Sequence, residues 1–391
     1  MKNEKGKRDS FDHELHKFHE LTYQKKTSSN MEKIKIGITH GDINGVGYEL
    51  ILNTFEMEEM TSICTPIIYG SPKVATYHRK ALGNEANFQV VESAETAKEG
   101  NVNMVNCFGE EEQKIEFGQA TEEAGKAALV ALDQALSDLK EGKIDALVTA
   151  PLNNSTIKLD NGEAFKGQTD YIEKSVGENK KALKLFIAGN LRIALATDKM
   201  PVADIPAHIT REAIAERIVI LHNTLKRDFY IDNPRIAVLA LNPYVDGKEE
   251  KEIIAPVVEE LFKRGVRCVG PYAAEAFFGA GNQKHFDAVF AMYYDQGVSA
   301  FKAMSLNEGI NYTAGLPILR TAPAIGVSYD MAGKDKTDDQ AFRQAIYTAV
   351  DVVRNRARFD KERSNPLQKQ YVAKRDDSDK LKLDQVTDEE S

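Results

Sequence analysis

Between about residue 32 and residue 356 short apolar runs alternate with segments whose apolar residues recur at helical spacing. That alternation predicts an α/β fold with a largely parallel sheet. The runs IKIGIT, DALVTA, LKLFIA, LRIALAT, RIAVLAL, DAVFAMY and AIGVSYD predict strands, and helical spacing predicts helices over 121–139, 210–226, 249–264 and 338–354. Gly189 and Asn190 separate two of the strands and predict a tight hairpin. Thr210 is placed to cap the helix that follows, with Glu212 in its first turn, where the helix dipole favours an acid. Both ends of the chain are charged and lack this spacing, so each is expected to be a solvated extension.

The length of 391 residues makes two domains the expectation. A formal net charge of −9 excludes the basic excess that a nucleic-acid surface needs, while leaving room for a small anion in a local basic pocket. Cys64, Cys107 and Cys268 are odd in number and far apart, which predicts neither a disulfide framework nor a thiolate metal site. No window approaches the roughly 18 continuous apolar residues of a membrane span, and the first residues lack the apolar core of a signal peptide. A cytoplasmic protein is the expectation. His13, His16 and His19 are spaced to share a helix face, but no other ligand type clusters with them, so they are read as part of a solvated tail.

Three stretches carry candidate chemistry. In THGDINGVGYEL, Gly41, Gly45 and Gly47 form a turn into a helix; an anion loop and a simple tight turn both fit it, and the dinucleotide fingerprint does not. VTAPLNNSTI ends a buried strand and is followed by FKGQTDYIEK, where Gln168 and Thr169 are uncharged groups suited to a phosphate or carboxylate oxygen. The third stretch, from residue 290 to residue 321, holds Lys302, Asn311 and Arg320: an ammonium, an amide and a guanidinium, the donor set expected for an oxyanion. They are expected on a glycine-interrupted segment rather than a regular helix. His40 follows the first strand and faces the expected cleft, but it and His208 are read as structural.

The order of GITHGDINGVGYEL, LVTAPLNNSTI, GQTDYIE, LRIALATDKMPVADIPAHIT, RIAVLALNPYVDG, DAVFAMYYDQGVSAFK, GINYTAGLPILRT and DMAGKDKTDDQAF resembles the successive signatures of the 4-hydroxythreonine-4-phosphate dehydrogenase family of pyridoxal phosphate (vitamin B6) synthesis. The resemblance runs from about Lys33 to about Arg354 and leaves both tails outside it. It implies two α/β domains flanking a deep cleft, as in isocitrate and isopropylmalate dehydrogenases, with a homodimer completing each active site. On that basis residues 1–31 are a flexible extension, 32–155 with 316–356 the first domain, 156–315 the second, and 357–391 a charged tail. The implied reaction is oxidation of 4-phosphooxy-threonine by hydride transfer to NAD, with NADP also open, followed by decarboxylation to 3-amino-2-oxopropyl phosphate.

Carried over by motif, the implied substrate contacts are Gln168, Thr169, Lys302, Asn311 and Arg320, with Gln168 standing where the family usually has histidine. Gly333, Lys334 and Asp338 are the implied nucleotide contacts. The resemblance also implies one divalent metal on three histidines, in motifs of the form ATTH, NPHAG and YHDQG. This chain reads ATDK, NPYVDG and YYDQG, which puts Lys199, Tyr244 and Tyr294 at the ligand positions and predicts that the metal site is gone. Two readings follow. In one, Lys199 supplies the charge a metal would have offered, with Tyr244, Tyr294 and Asp295 completing the catalytic group. In the other, the chain acts on a different phosphorylated hydroxy acid or only binds a phosphorylated ligand.

Overall fold

The structure, a computed structural model, describes residues 33–364 apart from residue 306. The predicted extension at residues 1–31, with its three histidines, and the tail beyond residue 364 lie outside the described residues. The first wing of the sheet contains β1 (Lys35–Thr39), β2 (Thr65–Gly70), β3 (Gln89–Val91), β4 (Asn103–Asn106), β5 (Ala146–Thr149) and β12 (Arg320–Pro323). The second contains β6 (Leu183–Ala188), β7 (Leu191–Leu195), β8 (Ile236–Leu239), β9 (Cys268–Tyr272), β10 (Ala288–Ala291) and β11 (Ile310–Ala314).

They form one sheet in the order β3-β4-β2-β1-β5-β12-β11-β6-β7-β10-β8-β9. Both outer portions are parallel, as expected of most of the sheet, but their strands β2, β3, β4 and β9 are additions to the predicted set; β3 and β9 are only partly buried and so lack a continuous apolar run. The middle is different: β11 runs antiparallel to both β12 and β6, and β6 to β7. The β6–β7 turn is the predicted hairpin, with Gly189 at φ 53°.

The helices follow their caps. Thr121 accepts from the Ala124 amide at the start of Glu122–Lys140, and Thr210 accepts from the Ala213 amide at the start of Arg211–Arg227. The helix predicted over 249–264 begins as a π turn, Glu250–Ile254, and continues as Ala255–Lys263. The last helix, Gln340–Ser364, outruns its predicted end and takes in the start of the expected tail. Its extra turns pack through Arg227 to Asp360, at 2.7 Å, and Tyr230 to Glu362.

One predicted strand is absent. The stretch 324–330 is a loop, because its apolar residues pack against the entry to the helix Gly47–Phe55: the Val46 amide donates to the Val327 carbonyl, and the Tyr329 hydroxyl donates to Asp42 at 2.7 Å. The glycines of THGDINGVGYEL serve close packing. A Cβ on Gly41, at φ 69°, would collide with the Pro151 carbonyl, and one on Gly47 would collide with the His40 carbonyl. Every residue from 39 to 50 is buried, so this loop is a tight turn and not an open anion cradle.

Candidate active site

Side-chain alternation on the central strands builds the floor of a cleft. In a strand, residues two apart share a face, and the registers Asn311↔Ala322, Thr313↔Arg320, Asn311↔Phe186 and Thr313↔Lys184 align those faces across β12, β11 and β6. Lys184, Phe186, Asn311, Arg320 and Ala322 therefore line one cleft of about 830 Å3, together with Thr149 at the end of β5. Its rim comes from Pro151 and Leu152, from Gln168 and Thr169 at the start of the helix Gln168–Val176, and from Lys199, Tyr294 and Lys302.

Arg320 is the centre of this floor, and it is only 3% exposed. Its Nε and Nη2 donate to Thr149 Oγ1 at 3.0 and 2.6 Å, its Nη1 to Thr313 Oγ1 at 3.3 Å, and its Nη2 also to Gln168 Oε1 at 2.6 Å. All of these acceptors are neutral. Among the described residues no carboxylate pairs with it, and burial alone lowers its pKa to about 9. A buried cation held by neutral groups is costly unless an anion arrives.

Two further cluster members point the same way. Lys302 lies in the helix Tyr294–Ser305, donates to the Ala324 carbonyl, and has its pKa lowered by desolvation; among the described residues no acid pairs with it. Asn311 Oδ1 is buried without a protein partner. The sequence predicts an irregular segment for Lys302, Asn311 and Arg320; they sit instead on a helix and two paired strands, and it is the sheet that brings them together.

The other predicted residues divide. Thr169 is buried at the cleft and Gln168 is committed at both ends, accepting from Arg320 and donating to the Ala150 carbonyl at 3.1 Å. Lys199 Nζ stands 5.0 Å from the centre of the Tyr294 ring, and both border the cleft and a smaller cavity of about 220 Å3, which Asp295 also lines. Tyr244 does not join them: it is 78% exposed in the loop after β8 and lines neither cavity. Gly333, Lys334 and Asp338 are likewise outside the cleft; their loop is tied to the helix Gly47–Phe55, whose Glu49 accepts from the Lys336 and Thr337 amides at 3.1 Å. Gly333 takes φ 74° against Phe117, Lys334 donates to the Asp330 carbonyl at 2.6 Å, and Asp338 accepts from the Gln340 amide at 2.9 Å. His40 is a buried ring stacked on Tyr48, its pKa lowered to about 4 by burial, and it too lies away from the cleft.

Thr149, Thr313 and Lys184 also belong to the site, beyond the residues the sequence points to. Alternation in INYTA and LKLFIA was the available signal.

The profile of the family described as "Pyridoxal phosphate biosynthetic protein PdxA" matches residues 62–349, well over half of the chain. This chain belongs to that family. A relative from Bacteroides thetaiotaomicron, named 4-hydroxythreonine-4-phosphate dehydrogenase, is 52% identical over 362 residues, covering 91% of this chain and 99% of its own length. One from Sulfurihydrogenibium sp., with the same name, is 33% identical and covers 81% of this chain and 98% of its own. The crystal structure of a 4-hydroxythreonine-4-phosphate dehydrogenase from Burkholderia phymatum superposes with a TM-score of 0.67 at 30% identity, over 83% of this chain and 99% of that one. The α/β architecture expected from the motifs is thus the family's own.

The divalent metal implied by the family resemblance does not fit the residues present. An ammonium cannot ligate while protonated, neutral phenols are poor ligands, and one of the three positions, Tyr244, lies at the surface. Among the described residues no three His, Cys, Asp or Glu side chains converge as an alternative.

Proposed function

We propose that this chain oxidises 4-phosphooxy-L-threonine with a nicotinamide cofactor and promotes loss of carbon dioxide from the resulting β-keto acid, giving 3-amino-2-oxopropyl phosphate for pyridoxal phosphate synthesis. The observation that carries the reading is Arg320, buried at the floor of the cleft with no carboxylate of its own. A phosphate would receive its guanidinium, the Lys302 ammonium and the hydroxyl of Thr169. Asn311, whose Oδ1 lacks a partner, would accept from the substrate's ammonium or hydroxyl.

The wall formed by Ala322, Ala324, Ile325 and Gly326 suits a flat nicotinamide ring: its side chains are small or apolar, and a Cβ at Gly326 would meet open space. These residues would hold that end of the cofactor, which supplies the hydride acceptor when bound; NAD is the proposed form, with NADP the alternative. Lys199 would stabilise charge developing on the oxidised oxygen, and Tyr294 and Asp295 would hold or move protons beside it. We also propose a cytoplasmic homodimer with a shared active site, divided into the two domains 32–155 with 316–356 and 156–315. Exposed Val202 and Tyr244 support an interface, and no helix among the described residues is long and apolar enough to cross a membrane.

The test is NADH formation, followed by absorbance, when purified protein is given 4-phosphooxy-L-threonine and NAD. Turnover is expected, together with a steep rise in KM on replacing Arg320 by Met. Binding of the phosphorylated substrate without any turnover would replace this reading with that of a relative that only binds its ligand.

A further inference from the structure

The phosphate anchor at Arg320 and Lys302 does not use the cleft wall that carries Lys199. Lys199 follows β7 and lies over the Tyr294 ring, and among the described residues no carboxylate pairs with it. Its neighbour Asp198 is already engaged by Lys184 at 2.8 Å. Lys166, Lys199, Lys302 and Arg320 are therefore four cations around one cleft with no ion pair among the described residues; Lys166 stands exposed beside the helix Gln168–Val176, and Lys199 is the one of the four that also borders the smaller cavity, with Asp295. A ligand with a single phosphate would satisfy Arg320 and Lys302 and leave Lys199 without a partner.

An ammonium offers three donors and no acceptor, so what it recognises must accept, and a charged acceptor gains most. It also repels a divalent cation at the same spot. The face of the Tyr294 ring holds it there without neutralising it.

Resting on the reading of Arg320 as a phosphate anchor, we infer that this chain binds its ligand without a divalent cation. Lys199, positioned by Tyr294, anchors a second oxyanion in place of the metal. The preferred ligand accordingly carries a carboxylate as well as a phosphate. Lys199 is thereby a specificity-determining residue: it separates phosphorylated acids from phosphorylated alcohols.

Calorimetric titration of the chelator-treated full chain with 3-phosphoglycerate and with glycerol 3-phosphate, each with and without magnesium, manganese or zinc, tests this. The acid is expected to bind about fivefold more tightly, near the upper end for an exposed ion pair. Added cations should change neither affinity, and Lys199→Gln should erase the preference by weakening 3-phosphoglycerate about fivefold more than glycerol 3-phosphate. The inference is overturned if any cation tightens either ligand by about tenfold or more, or if Lys199→Gln keeps the preference. Arg320→Met tells the two readings apart. Unchanged affinity in that variant would sink the phosphate anchor while leaving the Lys199 preference standing, and no binding of either ligand by the unaltered protein would overturn both.

Discussion

Arg320 and Arg356 serve opposite faces of the antiparallel strands at the middle of the sheet. On one face Asn311 lines the cleft with Arg320, which buried Thr313 braces; on the other, Tyr312 between them is fully buried and its hydroxyl donates to Asp228 at 2.5 Å. Arg356, from the last helix, completes that second group with Nε and Nη2 at 2.7 and 3.0 Å from the two Asp228 oxygens. Burial lowers the pKa of Arg356, but the charge and hydrogen bonds of Asp228 and Tyr312 together outweigh it and the net displacement is upward; for Arg320 burial acts alone and the displacement is downward. Similar side chains a strand's thickness apart thus do different work. The paired arginine ties the last helix to the end of Arg211–Arg227 and to β11, whereas the unpaired one keeps a charge ready for a ligand.

The largest expected effect breaks the paired face. Arg356→Met should destabilise the protein by about 3 kcal/mol in urea unfolding, because it leaves the Asp228 carboxylate buried and uncompensated. A loss below about 1 kcal/mol would mean that water reaches Asp228 and that the pair is ordinary surface electrostatics.

Arg320→Met should do the reverse. Its unliganded stability should stay within about 1 kcal/mol of the unaltered protein, since the acceptors it abandons are neutral, while affinity for a phosphorylated ligand falls about 100-fold, the scale of lost charge-assisted hydrogen bonds. Destabilisation equal to that of Arg356→Met would remove the distinction between the two arginines. The smallest effect sharpens it: Thr149→Val deletes the acceptor shared by two Arg320 nitrogens and should weaken ligand binding about threefold through lost orientation. Binding as tight as before would show that Thr313 and Gln168 suffice to aim the guanidinium.

The motifs made the donor set legible before its arrangement. Gln168, Thr169, Lys302, Asn311 and Arg320 do meet in one cleft, and Lys199 and Tyr294 meet at its rim. Tyr244 and the Gly333–Asp338 loop do not join, although their motifs hold the right places in the order. Motif order is one-dimensional, and it does not say whether a loop's side chains face the cleft or cap a neighbouring helix. The same limit hid β11 and β12, whose Asn, Thr and Arg are polar because they face a cleft. A strand that lines a site is under pressure to break the apolar pattern by which strands are recognised.

The sequence by itself determined the α/β class, strands β1, β5, β6, β7, β8 and β10, the hairpin at Gly189 and the helices that start at Thr121 and Thr210, but not the outer strands β2, β3, β4 and β9. Each feature so determined is a local matter of periodicity, capping chemistry or residue type. Only the tertiary structure decided that Arg320 has no carboxylate while Arg356 has one, that Lys199 rests on Tyr294, and that Tyr244 stands apart. Those outcomes depend on which strands become neighbours and in what register, and the partners come from residues more than a hundred positions away: Thr149 and Gln168 for Arg320, and Asp228 for Arg356.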